Sequence, residues 1–141
     1  MRTFFVLFLL VVSASGAPES RVLLIEHVDV RSHQHTKFYA DRKSFVESPD
    51  WTPSVAGPPL TVSAAAKIAV EAGKRRFADA RDVLIDTIAL QRKILYPSTQ
   101  NPDEIVRWYY VVSVKPSAAP GQLTPIVILL DGKVIEAEPS G

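Results

Sequence analysis

The amino-acid sequence predicts an α+β domain in which one main helix packs on an antiparallel sheet of about four strands. An N-terminal strand and a long irregular loop precede this unit. Two observations lead to the prediction: a single alanine-rich stretch has the period of an amphipathic helix, and the last two-fifths of the chain is made of alternating segments and turns. The 141 residues include no cysteine, so apolar burial alone must hold the core together.

The first 17 residues have the layout of a secretory signal peptide. Arg2 precedes an apolar run that ends at Val12, and small residues follow from Ser13 to Ala17. The run covers roughly ten residues, whereas a membrane-spanning helix needs about 20. We therefore expect cleavage after Gly16 or Ala17, a mature chain without a transmembrane segment, and a secreted or periplasmic location.

The mature chain reads as one domain with two regions. Residues 18–60 hold the N-terminal strand and a proline-rich irregular segment, and residues 61–141 hold the helix-on-sheet region. The strand is predicted at 21–30. The segment 31–59 shows little periodicity and is predicted to be a long connection, with a short extended or helical piece near 37–46. A loop of that length in a compact domain is usually functional or mobile.

The main helix is predicted to begin at Ser63, the predicted N-cap residue, which directly precedes the alanine-rich stretch. It should end between Gly73 and Phe77. Its positions i, i+3, i+4 and i+7 are apolar and mostly small, namely Ala65, Ile68, Ala69 and Ala72. Small residues on the inner face allow this helix to lie close to a sheet.

Two long segments after the helix are predicted to be strands. Residues 83–95 fit either a helix or a strand, and their β-branched residues favour the strand. Residues 105–115 alternate clearly, and Trp108, Tyr110, Val112 and Val114 form the expected core face.

A final hairpin is predicted around Asp131-Gly132, which lies between the apolar runs 126–130 and 134–138. A two-residue type I′ turn at this dipeptide requires positive φ. The resulting register places Ile128 opposite Ile135 and Ile126 opposite Ala137 on the core face.

These motifs resemble a PepSY-like or cystatin-like domain over roughly residues 61–138. The resemblance is carried by the alanine-rich helix at 63–69, the aromatic strand at 108–114 and the Asp-Gly hairpin at 129–135. The Gln-x-Val-x-Gly wedge of cystatins proper is absent. The resemblance implies a non-catalytic exported domain, often a regulatory or binding module, and it transfers no site residues.

Charge and motifs argue against nucleic-acid binding and against catalysis. One of the 16 basic residues, Arg2, lies in the leader, so the mature chain has 15 basic and 15 acidic residues. We therefore expect no net positive electrostatic field that would attract the phosphate backbone of a nucleic acid. All three histidines lie between His27 and His35, without a Gly-x-Ser-x-Gly elbow or a phosphate-binding glycine loop. We therefore expect no enzyme, no catalytic residue and no cofactor.

The sequence offers only weak candidate site residues. His33 and His35 would project to the same side of an extended chain and are candidate ligands of Zn²⁺ or Cu²⁺, but a solvated polar loop explains them better. His27 could join them only if the chain turns near Ser32. Trp51, in the proline-rich segment, is interpreted as a hydrophobic tether to the core, with contact to a partner as the alternative.

Two functions from different classes fit this chain. The first is an exported binding or regulatory module that holds an unknown peptide or protein through the proline-rich loop or an open sheet edge. The alternative is an envelope structural or accessory protein that self-associates through its sheet. A measurement of molecular size with and without envelope extract separates the two, because the oligomeric state is open.

The export prediction is tested by N-terminal sequencing of the exported form. Its first residue should be Ala17 or Pro18, because the small residues before these positions suit signal cleavage. An intact Met1 on a cytoplasmic protein would contradict both the leader and the proposed compartment.

Overall fold

The computed structural model describes residues 20–29, 32–97, 102–119 and 121–139, and it is α+β. The predicted signal peptide, 1–17, lies outside these residues. The elements in chain order are β1 (Arg21–Asp29), β2 (Gln34–Asp41), α1 (Arg42–Glu47), α2 (Val62–Arg76), β3 (Val83–Leu95), β4 (Ile105–Pro116), β5 (Thr124–Leu129), β6 (Val134–Ile135) and β7 (Ala137–Pro139).

The strands form two antiparallel sheets. The larger sheet has the order β3-β4-β5-β6, which confirms the predicted four strands and the strand assignment of 83–95. The smaller sheet has the order β1-β2-β7 and was not predicted. Because β6 ends at Ile135 and β7 begins at Ala137, the single strand predicted over 134–138 is wrong: the chain changes sheets at Glu136.

The larger sheet packs against other elements on both faces. On one face, α2 packs on the sheet through Ala65, Ala69 and Ala72, which lie in one core with Tyr110 and Val112. This confirms the predicted helix-on-sheet contact. On the other face, the smaller sheet and α1 complete a second core, whose buried members are Val22, Leu24, Phe38, Ala40, Phe45, Tyr109, Val127, Leu129 and Ile135.

The helix begins earlier than predicted, because Thr61 rather than Ser63 is its N-cap. The Ala64 N–H donates to Thr61 Oγ1 (3.2 Å), and the backbone of Thr61 is extended, with φ −71° and ψ 154°. Gly73 lies within the helix and is buried against the sheet. The helix ends at Arg76, within the predicted interval.

The register of the last hairpin differs from the prediction by one residue. Ile135 pairs with Val127, and Val134 pairs with Ile128. The Leu129 N–H donates to the carbonyl of Lys133 (2.9 Å), and the Gly132 N–H donates to the carbonyl of Leu129 (2.9 Å), so the loop holds three residues rather than two. Gly132 has the predicted positive φ, 88°, but in the left-handed position that follows a type I turn.

This shift places Ile135 in the second core instead of beside Ile128. The predicted pairs Ile128–Ile135 and Ile126–Ala137 are therefore wrong, since one added loop residue moves every following side chain to the other face. Val134 takes the position facing the helix.

The segment 31–59 is more regular than predicted, because the short piece expected near 37–46 is both extended and helical. It forms β2, whose Phe38 and Ala40 are buried, and then α1. Asp41 joins the two elements by accepting a hydrogen bond from the Ser44 N–H (3.0 Å). The irregular part begins only at Ser48.

Gly73→Ala tests the close approach of α2 to the sheet. A Cβ at this position would lie 2.7 Å from Val83 Cγ1 and 3.4 Å from Val114 Cγ2. Overpacking should lower the free energy of unfolding by about 1–3 kcal/mol, and the higher helix propensity of alanine should raise it by up to about 1 kcal/mol. The variant should therefore be less stable than the wild type. Urea denaturation measures the difference.

The double variant Gly73→Ala/Val83→Ala removes the closest methyl group and provides the control. Its free energy of unfolding should exceed the value calculated by adding the two single effects. An increase in stability for Gly73→Ala alone would contradict the close approach.

Candidate functional site

The two sheets are offset, which leaves part of the larger sheet uncovered. The smaller sheet has three described strands, and its β2 lies near β6, where the chain crosses between the sheets. β7 pairs with one edge of β2 and β1 with the other, and β1 is linked to β4 by the hydrogen bond between the Tyr109 hydroxyl and the carbonyl of Leu24. Among the described strands none pairs with the outer edge of β1, and this strand lies beside β3 where the Tyr109 hydroxyl reaches both Leu24 and Gln91.

The uncovered strip, which we call the shelf, consists of Thr87, Ala89 and Gln91 of β3 with Val111 and Ser113 of β4. The three β3 residues are exposed and the two β4 residues are half-buried. Ala89 pairs with Val111 and Thr87 with Ser113, so these side chains share one face of the sheet. The shelf is uncharged and made of small or short side chains, apart from Gln91.

A buried tyrosine joins β1 to the shelf. The Tyr109 hydroxyl donates to the carbonyl of Leu24 (3.0 Å) and lies 3.3 Å from Gln91 Oε1. Leu24 is the extra residue of a bulge in β1, because Leu23 pairs with Tyr39 and Ile25 with Phe38. The hydroxyl therefore satisfies a carbonyl in the irregular part of the strand pairing.

The outer edge of β3 carries features that discourage strand pairing. The strand has a bulge between Ile85 and Thr87, and Asp86 forms a 2.7 Å ion pair with Lys115. Arg92 adds an exposed charge further along the strand. Bulges and charges are typical of edges that are protected from other chains.

A small polar cleft lies at the end of α2, between the two sheets. Its volume is about 130 Å³. His27 and Thr36 lie opposite each other on β1 and β2 and line one wall, and Gln122 and Thr124 line the other. Arg76, the last residue of α2, also lines the cleft.

The candidate metal ligands lie at the tip of the β1–β2 hairpin. His33 is in the turn with φ 56°, and His35 Nδ1 is 3.1 Å from Glu26 Oε1. The chain does turn near Ser32, which brings His27 opposite Thr36 on the second strand. Among the described residues, no three His, Asp or Glu side chains are close enough together to hold a metal ion.

Trp51 packs against the first core and is held by two contacts. Its ring forms an edge-on contact with Trp108, with ring centroids 5.1 Å apart, and its Nε1 donates to the carbonyl of Ala56 (2.7 Å). The end of the segment 48–61 is also attached to β4. The Tyr110 hydroxyl donates to the carbonyl of Leu60 (2.9 Å).

Comparison with protein-family models, curated proteins and solved structures finds no match for this chain. The likeness to PepSY or cystatin domains stays a prediction. No helix among the described residues is long and apolar enough to cross a membrane.

The shelf and the cleft were not identified from the sequence. The alternation of Thr87, Ala89 and Gln91 with Ile88 and Leu90 shows that one face of β3 is less apolar, but it cannot show that the smaller sheet stops short of it. From the sequence alone, Arg76 is simply one of three consecutive cations, Lys74–Arg76, of the kind that favour the C-terminal end of a helix. In the structure its neighbour Arg75 is exposed, whereas Arg76 is only 22% exposed.

Tyr109→Phe tests the hydrogen bond that supports β1. The change leaves the buried carbonyl of Leu24 without its donor and should lower the free energy of unfolding by about 1–3 kcal/mol. Tyr96→Phe is the control, since Tyr96 is 74% exposed. Equal effects of the two substitutions in urea denaturation would contradict this role.

The same side chain predicts a dependence on alkaline pH. Burial raises the pKa of Tyr109, and that of Tyr110, above the usual value of 10.0. A raised pKa in the folded state means that the stabilisation is complete below pH 10 and is lost as the pH rises through the folded-state pKa. The free energy of unfolding of the wild type should therefore decrease as the pH rises above 10, and it should decrease less in Tyr109→Phe.

Proposed function

We propose that this protein is an exported, non-catalytic module that binds an extended segment of a peptide or protein partner. The segment adds as a fourth strand to the free edge of β1 and covers the shelf. The single observation that carries the proposal is the offset of the two sheets: among the described residues no strand pairs with the outer edge of β1, and the neighbouring part of the opposite sheet is uncovered.

An added strand has two kinds of contact available. The edge of β1 supplies backbone N–H and C=O groups over Ile25–Asp29, the part of the strand that pairs regularly with β2 after the bulge. The shelf supplies the side-chain contact. Its half-buried Val111 would become part of the second core, with which it is already in contact.

The chemistry of the shelf indicates which segments fit. Alternate residues of an added strand would face Ala89 and Val111, a narrow and uncharged surface that suits small apolar side chains. Charged residues at those positions would lose their hydration without a partner. We therefore propose a partner segment with small apolar residues at every second position.

The edge of β1 is a better acceptor than the edge of β3. On β3, the bulge and the Asp86–Lys115 pair interrupt the outer edge. On β1, the carbonyl of the bulge is bonded inward to Tyr109, and the following five residues remain regular. Self-association through the edge of β3 is accordingly the less favoured alternative.

The binding experiment uses the mature chain, 17–141, and a random eight-residue peptide library displayed on phage. The best selected peptide is then examined by amide hydrogen exchange. We expect slower exchange over Ile25–Asp29, because the peptide hydrogen-bonds this edge, and alternating small apolar residues in the selected sequences.

Ala89→Arg should weaken the binding of this peptide by at least about tenfold, since a long charged side chain would occupy the shelf. Ser63→Arg is the matched control, because it adds the same side chain at an exposed position on α2. Selected peptides that leave the exchange of β1 unchanged, or that bind both variants equally, would overturn the proposed site.

Molecular size measured by light scattering separates the two functions. A monomer that forms a one-to-one complex with the peptide agrees with the binding module. A stable homo-oligomer that dissociates in Arg92→Asp or another β3 variant, and that excludes the peptide, would favour the self-associating alternative.

A further inference from the structure

Arg76 occupies an unusual position for the last residue of a helix. Its Nη1 donates to the carbonyl of Pro125 (3.2 Å), and its guanidinium lies 6.0 Å from the ring centre of Phe38. These two contacts reach β5 and β2, which belong to different sheets. The charged group is thus held between the two sheets, where Arg76 lines the polar cleft.

The guanidinium keeps unused hydrogen-bonding capacity in this position. Nη2 is buried and makes no hydrogen bond with any residue that the structure describes. Its nearest acid is Glu136, whose Oε2 is 3.5 Å away and whose side chain is 80% exposed. An ion pair with such an exposed partner contributes little, so the buried N–H groups are poorly compensated.

The cleft beside Arg76 is suited to a small polar group. Its volume of about 130 Å³ is well below the ~300–1,000 Å³ of sites for drug-sized ligands. Its walls carry the side chains of His27, Thr36, Gln122 and Thr124, all of which can donate hydrogen bonds. A group with two acceptor oxygens would use these donors together with Nη2.

We propose that this cleft binds a carboxylate, with Arg76 as the residue that recognises it. A carboxylate matches the planar fork of a guanidinium and fits the small volume. The carboxylate is either that of a small organic acid or the C-terminus of a peptide. The proposal does not depend on strand addition at β1, because the cleft lies between the sheets at the end of α2.

Two acids at the cleft bear on this proposal. Asp29 lines the cleft, and its Oδ1 is 3.4 Å from the Ser32 N–H, within its own turn. Glu136 competes for Nη2 from the exposed side. Removal of the Glu136 charge should therefore strengthen carboxylate binding, whereas removal of the Arg76 charge should weaken it.

The experiment is a titration of ¹⁵N-labelled mature protein with sodium acetate, followed by NMR at constant ionic strength set with sodium chloride. We expect saturable shifts of the Arg76 Nε–H and of the Thr36 and Thr124 amides. Arg76→Gln should weaken acetate binding at least about tenfold. Arg75→Gln, which removes an exposed charge from the neighbouring position, should leave it unchanged.

If Arg76→Gln does not fold, Glu136→Gln provides a second test. Glu136 is exposed, so this variant should fold, and it should bind acetate more tightly than the wild type. Equal shifts with chloride and acetate, equal losses in the Arg75 and Arg76 variants, or unchanged affinity in Glu136→Gln would overturn the proposal.

A short peptide with a free C-terminus and its amidated form distinguish the two sources of carboxylate. Shifts with acetate and the free acid, but not with the amide, indicate a peptide terminus, and shifts with acetate alone indicate a small acid. Ala89→Arg should not affect acetate binding. A failure of strand addition is therefore distinguishable from a failure of the carboxylate site.

Discussion

The structure depends on β4, whose side chains hold the N-terminal half of the chain on both sides of the larger sheet. Arg107 Nη2 and Tyr109 Oη donate to the carbonyls of Val46 (2.8 Å) and Leu24 (3.0 Å) on one side, and Tyr110 Oη donates to that of Leu60 (2.9 Å) on the other. Each acceptor is a backbone carbonyl outside regular strand pairing. Val46 lies near the end of α1, Leu24 at the bulge of β1 and Leu60 just before α2. Because buried carbonyls need partners, these three donors connect segments that do not pair with β4.

This arrangement also explains how a chain without disulfides supports two cores. Tyr109 and Tyr110 are neighbours, yet they belong to different cores because successive residues of a strand point to opposite faces. The three aliphatic residues Val127, Ile128 and Leu129 continue the same division in β5. One sheet therefore serves both layers, and the smaller sheet has only one face to bury.

The proposed sites follow from the way in which the smaller sheet ends. At the free edge of β1 it stops before β3, which leaves the shelf. Toward the tip of the β1–β2 hairpin the smaller sheet carries polar residues, with His27 opposite Thr36. The cleft forms where the side chain of Arg76, at the end of α2, meets these residues. Both features are gaps between layers, and neither belongs to a single element.

The sequence by itself determined the elements whose signals are local. The alanine face of α2, the alternation of β4 and the need for positive φ at Gly132 each depend on neighbouring residues, so periodicity and turn chemistry predicted them. Only the tertiary structure decided the hairpin register, the second sheet and the environment of Arg76. A loop longer by one residue changes the face of Ile135, and the second sheet is completed by the pairing of Phe38 in β2 with Ala137 in β7, far apart in the chain. Such pairing is chosen by the burial of both partners together, and no local pattern in either segment records it.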